Sequence, residues 1–306
     1  MNDEALQVRR NKSAFLESVA APENHIVDTL IEERCPSFVS HWTWPMVRPI
    51  LYTMLGYSRA RRTADYLQTL RGQDAFDHLA QVLRIDLDLQ NIERMPKTGR
   101  LVVAANHPTG LADGIAVWDA LRQVRRDLVI FANADAIRVN PEFDDVIIPV
   151  EWVMDKRTPA KTRETLRLAK EAFAEEKCVV IFPSGRLATK IDGTLTEQSW
   201  MPSIVSLARK HKAMVQPLNL KATNSSLYYL LAKLNGELRD ITLFHELLNK
   251  QNSRFDLTFG PLISPHLLDG DVGQVTDALQ HHVAYHLAEN PDRLFSPLVP
   301  EVTPKA

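Results

Sequence analysis

The chain has 306 residues, 45% of them hydrophobic and 24% charged, which is enough apolar material for one large domain with a smaller appendage. A formal net charge of −2 gives no overall attraction to nucleic acid, so any cationic contact must come from local clusters such as "SRARR" at 58–62. Two cysteines, Cys35 and Cys178, are too few for a disulfide framework and fit a reducing compartment. The start "MNDEALQVRRNKSAF" lacks an apolar run of signal-peptide type, and nowhere are there about 18 consecutive apolar residues to span a bilayer. The expectation is a cytoplasmic protein, with peripheral membrane contact open. The first dozen residues and the Pro-rich end "SPLVPEVTPKA" are expected to be disordered.

In chain order, residues 13 to about 84 read as helices only. Apolar positions recur at three and four in "HIVDTLIEE", "ADYLQTLRG" and "DAFDHLAQVL". Within this part, "HWTWPMVRPILYTMLGYSRARR" at 41–62 combines Trp42, Trp44 and Tyr57 with an apolar centre and trailing arginines. That composition suits the bilayer interface, where aromatic rings sit at headgroup depth and Arg meets anionic lipid. It equally suits a helical hairpin packed over a second domain, because Pro45 and Pro49 should break any single long helix.

From about 85 the period changes. "IDLDL" alternates, and "LVVAA", "DLVIFA", "DVIIPV", "CVVIF", "MVQPLNL" and later "RFDLTFG" are short apolar or β-branched runs that read as strands. Helical patterns lie near 112–124, 160–176 and 200–211, with a closing helix near 272–288. The second opens where Thr158 can cap and Pro159 fits the first turn. Strands alternating with helices imply an α/β domain over 85–306, a substantially parallel mixed sheet flanked by helices, behind an N-terminal helical region over 1–84.

In "LVVAANHPTGLADGIAVWDAL" a strand ends at Ala105 and a helix starts near Ala112 or Asp113. His107 and Asp113 then lie at a strand's C-terminal end and a helix's N-terminus, where open α/β sheets place ligand sites. A neutral imidazole can take a proton from a hydroxyl or amine while a carboxylate holds its other nitrogen. Pro, Thr and Gly also make turns and Asp favours a helix start, so spacing alone leaves both readings open. "CVVIFPSGRLATK" at 178–190 is a second strand running into a polar turn, with Arg186 and Lys190 beside backbone N–H groups that suit a phosphate or an oxyanion.

Together these stretches resemble the glycerolipid acyltransferase superfamily, whose members acylate glycerol 3-phosphate, lysophosphatidic acid and related lysolipids. Its first motif is Asn-His followed by Asp, and its third is Phe-Pro-Glu-Gly-Thr-Arg. "NIERMPKTGR" resembles the family's lead-in, "VEWVMDKR" at 150–157 lies where the second motif is expected, and "AMVQPLNL" and "LTFGPLI" resemble the fourth motif and the strand after it. The likeness covers about 90 to 264. Five residues separate His107 from Asp113 where the usual number is four, a form that resembles the ornithine-lipid and haemolysin-like branch. Ser184 stands where the third motif has Glu and Arg186 where it has Thr, so a glycerol-phosphate headgroup does not follow from the likeness.

The resemblance implies a glycerol-3-phosphate acyltransferase-like fold in which His107 is the general base and Asp113 orients it. It also implies that Asn106, Gly110, Arg157, Pro183, Ser184, Gly185 and Arg186 contact substrate. The donor would be acyl-CoA or acyl carrier protein, the acceptor a lysolipid or amino-lipid, and the location the inner face of the membrane; no metal, cofactor or nucleic acid is implied. A lipid-binding protein on the same fold and a thioester hydrolase are the competing readings. Position 182 is Phe where a nucleophile elbow needs Gly, which disfavours a serine hydrolase. "HELLN" at 245–249 has Asn249 in place of a second zinc-binding His, and "HHVAYH" puts His282 and His286 on one helical face; both read as solvated helix faces.

Overall fold

The computed structural model describes residues 24–151, 154–191 and 193–297; the first dozen residues and most of the Pro-rich end lie outside this range. Five helices open it: α1 (Ile26–Glu32), α2 (Pro36–Val39), α3 (Trp44–Met54), α4 (Tyr57–Leu67) and α5 (Gly72–Leu83). Strands and helices then alternate as β1 (Asp86–Gln90), β2 (Leu101–Ala105), α6 (Leu111–Leu121), β3 (Leu128–Asn133), α7 (Asp135–Val139), β4 (Ile147–Val150) and α8 (Pro159–Ala174). Next come β5 (Cys178–Ile181), the hairpin β6 (Thr189–Ile191) and β7 (Thr194–Thr196), α9 (Ser203–His211) and β8 (Met214–Lys221). After α10 (Ser226–Leu234), α11 (Gly236–Asp240) and α12 (Leu243–Leu248) follow β9 (Arg254–Phe259) and α13 (Val272–His281), which continues through a π-helical turn, His282–His286, into α14 (Leu287–Glu289). Each of the seven runs read as strands from the sequence forms one.

The residues group into two compact units interleaved along the chain. The first comprises the chain through Arg84 with Phe131–Ala169 and Asn224–Asn252. Its core gathers the apolar stripe of α1 (Val27, Leu30, Ile31) with Tyr52, Leu55 and Ala64. The break between α3 and α4 falls at Gly56, with φ 66°, and not at the prolines. Pro45 occupies the first turn, where helical N–H groups lack partners anyway, and Pro49 comes so early that it removes only one hydrogen bond. At α8, Thr158 Oγ1 accepts the Lys161 N–H at 3.2 Å and caps the helix as its sequence predicts.

"HELLN" is not a solvated face. Glu246 and Lys250 are buried and paired at 2.8 Å, one helical turn apart. The same carboxylate accepts the Ser225 N–H at 2.9 Å and hydroxyl at 2.5 Å, tying α12 to the start of α10. Burial alone would raise the Glu246 carboxyl, but the hydrogen bonds from Lys250 and Ser225 outweigh it and leave the group below its ordinary value.

The second unit comprises Ile85–Ile130, Lys170–Thr223 and the chain from Ser253. Its strands run in the order β1-β9-β8-β2-β5-β3. All pairings are parallel except β8 with β9, so the sheet is mixed but mostly parallel and flanked by helices. All five residues of β2 are buried, as a central strand of a parallel sheet requires. Among the helices, α6 buries Trp118 and Leu121 completely. "HHVAYH" is the π-helical turn, and His282 within it is 2% exposed instead of solvated. Burial, with repulsion from His286, Arg293 and His281, pushes its imidazole down to about 4, so it packs as a neutral ring against Phe295. The π-turn carbonyl of Val283 accepts the Asn219 side-chain amide at 2.8 Å, which fastens this helix to β8.

Replacing Glu246 by Ala strands the Lys250 ammonium in the first unit's interior and should lower the unfolding free energy by about 3–5 kcal/mol. Because the folded carboxyl is lowered, this stabilisation is complete above the unfolded carboxyl value of about 4.3 and is lost as pH falls through the folded value. Urea unfolding curves of the two proteins between pH 7 and pH 3 should therefore converge on acidification.

Candidate active site

β2 and β5 are hydrogen-bonded parallel neighbours, with Ala104 opposite Ile181. Parallel neighbours release their C-terminal ends at the same sheet edge, so Asn106-His107 and Phe182–Arg186 leave the sheet side by side. On the other flank of β2, Asn106 Nδ2 donates to the Leu220 carbonyl and Oδ1 accepts the Leu220 N–H, each at 2.7 Å. Both ends of this amide are engaged as one more rung between β2 and β8.

Beyond His107 the chain turns into α6 through Gly110, whose φ of 97° is open to Gly and strained for any L side chain. Asp113, the third residue of α6, points back at this turn. Its Oδ2 accepts the N–H groups of Thr109 at 2.8 Å and Gly110 at 2.9 Å, and its Oδ1 accepts the Thr109 hydroxyl. The carboxylate is fully buried, and the contacts satisfy two helix-start donors as a capping residue does. The same carboxylate lies 2.9 Å from His107 Nδ1. Nδ1 makes no aligned hydrogen bond, so the pair is a close approach without straight N–H···O geometry. The His107 side chain is 17% exposed and its ring stacks on Phe182, with centroids 4.5 Å apart.

The second segment forms a tight turn. The Gly185 N–H donates to the Phe182 carbonyl at 3.0 Å, with Gly185 at φ 60°, so this amide closes the turn and does not face outward. Pro183 is buried and its carbonyl accepts the Met201 N–H at 2.9 Å. The buried Ser184 hydroxyl lies 2.9 Å from both the Arg186 carbonyl and Glu197 Oε1. Arg186 is exposed, and among the described residues its guanidinium has no ion-pair partner. Arg157 belongs to the first unit; it is exposed and its Nε donates to the Glu151 carbonyl at 3.3 Å. Trp152 and Val153 of the second-motif stretch lie outside the described residues.

Three residues the sequence reading passed over complete the arrangement. Thr109 supplies two of the three donors to Asp113, and its signal is the Thr-Gly-x-x-Asp spacing of a helix start. Glu197 accepts the His107 backbone N–H at 2.7 Å, and its other oxygen accepts the Trp200 indole N–H at 2.8 Å. No local pattern could have found Glu197, because it reaches the turn from beyond the β6–β7 hairpin. Among the described residues no cluster of His, Cys, Asp or Glu is placed to hold a metal ion.

The mostly parallel sheet thus carries a partly exposed imidazole and a buried carboxylate at its carboxyl edge. Residues 86–221, which contain both strand ends, match the family model described as Acyltransferase. The lyso-glycine lipid O-acyltransferase of Phocaeicola vulgatus is 22% identical over 195 residues, covering 62% of this chain and 68% of its own. Its namesake from Bacteroides thetaiotaomicron is 20% identical over 195 residues, covering 62% and 70%. The solved 1-acyl-sn-glycerophosphate (LPA) acyltransferase PlsC from Thermotoga maritima superimposes with a TM-score of 0.45 at 14% identity, covering 87% of this chain and 97% of that one. Residues 86–221 thus match an acyltransferase domain, and these likenesses support the glycerolipid acyltransferase superfamily for this chain.

A Cβ at Gly110 would meet Leu187 Cδ2 at 2.9 Å in a backbone conformation with φ 97°, whereas one at Gly114 meets nothing within 4 Å. Gly110→Ala should therefore destabilise the protein by about 1–3 kcal/mol and loosen the turn that holds Asp113. Gly114→Ala, on the same helix, should be neutral or stabilising by up to about 1 kcal/mol. Thermal midpoints of the two variants, compared with the unaltered protein, check both expectations.

Proposed function

We propose that this acyltransferase moves a fatty acyl group from acyl-CoA or acyl carrier protein to a hydroxyl of a lysolipid, with His107 as general base and Asp113 as its partner. The observation that carries the reading is the 2.9 Å approach of His107 Nδ1 to a fully buried carboxylate, with the imidazole itself partly exposed. The tautomer with the proton on Nδ1 faces Asp113 and leaves Nε2 free to accept. Nε2 takes the proton of the acceptor hydroxyl as its oxygen attacks the thioester carbonyl. When the tetrahedral adduct collapses, the C–S bond breaks and the imidazolium returns its proton to the leaving thiolate, so the base is regenerated and no acyl-enzyme forms. The carboxylate beside Nδ1 stabilises the imidazolium while it exists. Arg186, exposed and without an ion-pair partner among the described residues, is the group on the β5 turn suited to an anionic part of donor or acceptor. The two curated relatives are named for acylating a lyso-glycine lipid at oxygen, which favours an amino-acid lysolipid hydroxyl over an amine as acceptor.

A lysolipid acceptor is met at a lipid surface, and the first unit carries an exposed apolar face suited to such contact. Met46, Ile50 and Met54 of α3 recur every four residues and are 61–70% exposed, with Trp42 79% exposed just ahead of them. Arg61 and Arg62 on α4 are exposed, and Arg side chains favour anionic headgroups. Among the described residues no helix is long and apolar enough to cross a membrane, so the contact proposed is peripheral.

Purified protein given a long-chain acyl-CoA or acyl carrier protein and a panel of lysolipids, amino-acid lysolipids included, should yield new acyl lipid. Free fatty acid alone would indicate a hydrolase, and binding without either product a lipid-binding protein. His107→Ala should lower the transfer rate by roughly 10²–10⁴ with a nearly unchanged thermal midpoint; product formation at the original rate would defeat the assignment. Separately, Ile50→Glu combined with Met54→Glu should abolish co-sedimentation with anionic phospholipid vesicles.

A further inference from the structure

We infer that Glu197 is a positioning residue for this acyl transfer, a carboxylate that locks the backbone of His107 to the turn after β5. The inference rests on the proposed role of His107 and extends it to a residue outside both motif segments. Three observations carry it. Glu197 Oε1 accepts the His107 backbone N–H at 2.7 Å and lies 2.9 Å from the Ser184 hydroxyl, so one oxygen joins the chain ends released by β2 and β5. Oε2 accepts the Trp200 indole N–H at 2.8 Å, which fixes the rotamer that makes this possible. Trp200 is itself anchored, its backbone N–H donating to Gln280 Oε1 at 3.0 Å.

The donor count explains why an acid stands there. Main-chain N–H, indole N–H and hydroxyl are all donors, and only an ionised carboxylate accepts from all of them without offering a proton of its own. An amide at this place has one accepting atom, so at least one donor would face an N–H group. The Ser184 hydroxyl has one proton and two acceptors in reach, the Arg186 carbonyl and Glu197, so the carboxylate also influences how the turn bearing Arg186 is held. Burial holds the Glu197 carboxyl above its ordinary value, an effect that the hydrogen bonds from Trp200, Ser184 and the His107 backbone only partly offset. Among the described residues, two acidic side chains lie against His107, Asp113 at the ring and Glu197 at the backbone.

The test measures kcat and KM across pH for the full chain with Glu197→Gln, beside His107→Ala. Glu197→Gln is expected to lower kcat by roughly 10- to 100-fold, because the base is misplaced, with little change in KM. Removing a negative charge beside the imidazole should also move the acidic limb of the kcat/KM profile to lower pH, a change that a merely structural role would not produce. Ser184→Ala combined with Glu197→Gln should lose less than the product of the single losses, since both act through one contact. If Glu197→Gln does not fold, Trp200→Phe, which keeps the carboxylate but frees its rotamer, is read by the fall in kcat alone, and an undiminished kcat overturns the role. Wild-type kcat with an unmoved acidic limb, while His107→Ala is inactive, overturns the role of Glu197 and leaves the base intact. Undiminished turnover by His107→Ala instead removes the base and the positioning role with it.

Discussion

A carboxylate with no exposure to water, Asp113, is the constraint on which the active edge of this sheet depends. Burying a carboxylate is costly unless its lone pairs are taken up by donors. Here the donors are the Thr109 and Gly110 N–H groups and the Thr109 hydroxyl. Those N–H groups belong to the start of α6 and lack intrahelical partners, so one side chain resolves two deficits at once. The arrangement needs a turn with φ near 97° at Gly110, and that turn brings His107 back over the carboxylate. The geometry of the pair is thus a by-product of how the helix begins.

The fivefold spacing between His107 and Asp113 follows from the same turn. His107 ends an extended segment whose preceding residue, Asn106, is bolted to β8 by a two-way contact with Leu220. Pro108, Thr109 and Gly110 then reverse the chain, and Asp113 has to sit three residues into the helix for its carboxylate to reach back to the Gly110 N–H. Sheet, turn and helix start each fix one end of the pair, which is why the ring needs only a modest further restraint from Phe182.

Much of this architecture was legible in the residues. Buried parallel strands read as short continuous apolar runs, and "LVVAA" and "CVVIF" carried that signal plainly enough to put His107 and Ser184 at strand ends. The helix start at Asp113 was legible because Gly and Asp have strong positional preferences. What escaped was long-range or buried-polar. "HELLN" and "HHVAYH" look like solvated helix faces because their polar residues are conspicuous, yet Glu246 is neutralised by Lys250 and His282 is discharged by burial. Local patterns report polarity and not pairing, so a buried charge with a partner one turn away looks the same as an exposed one. The break between α3 and α4 is made by Gly56 and not by the prolines, since a proline near a helix start removes little. Glu197 was invisible for a third reason: its contacts span a hairpin, and hydrogen bonds to backbone leave no trace in residue type.

Two carboxylates, Asp113 and Glu197, meet one imidazole residue, and how they are satisfied decides what the site can do. Among the described residues neither has a cation as hydrogen-bond donor: the partners of Asp113 are two backbone N–H groups and a hydroxyl, and those of Glu197 a backbone N–H, a hydroxyl and an indole N–H. Had Arg186 been paired with either acid, its guanidinium would have been drawn into the turn instead of lying exposed. Satisfying the acids with neutral donors leaves the Arg186 guanidinium outside the network. Serine at position 184 fits this scheme, since a hydroxyl donates to a carboxylate arriving from position 197, where an acid at 184 would have set a second negative charge against it.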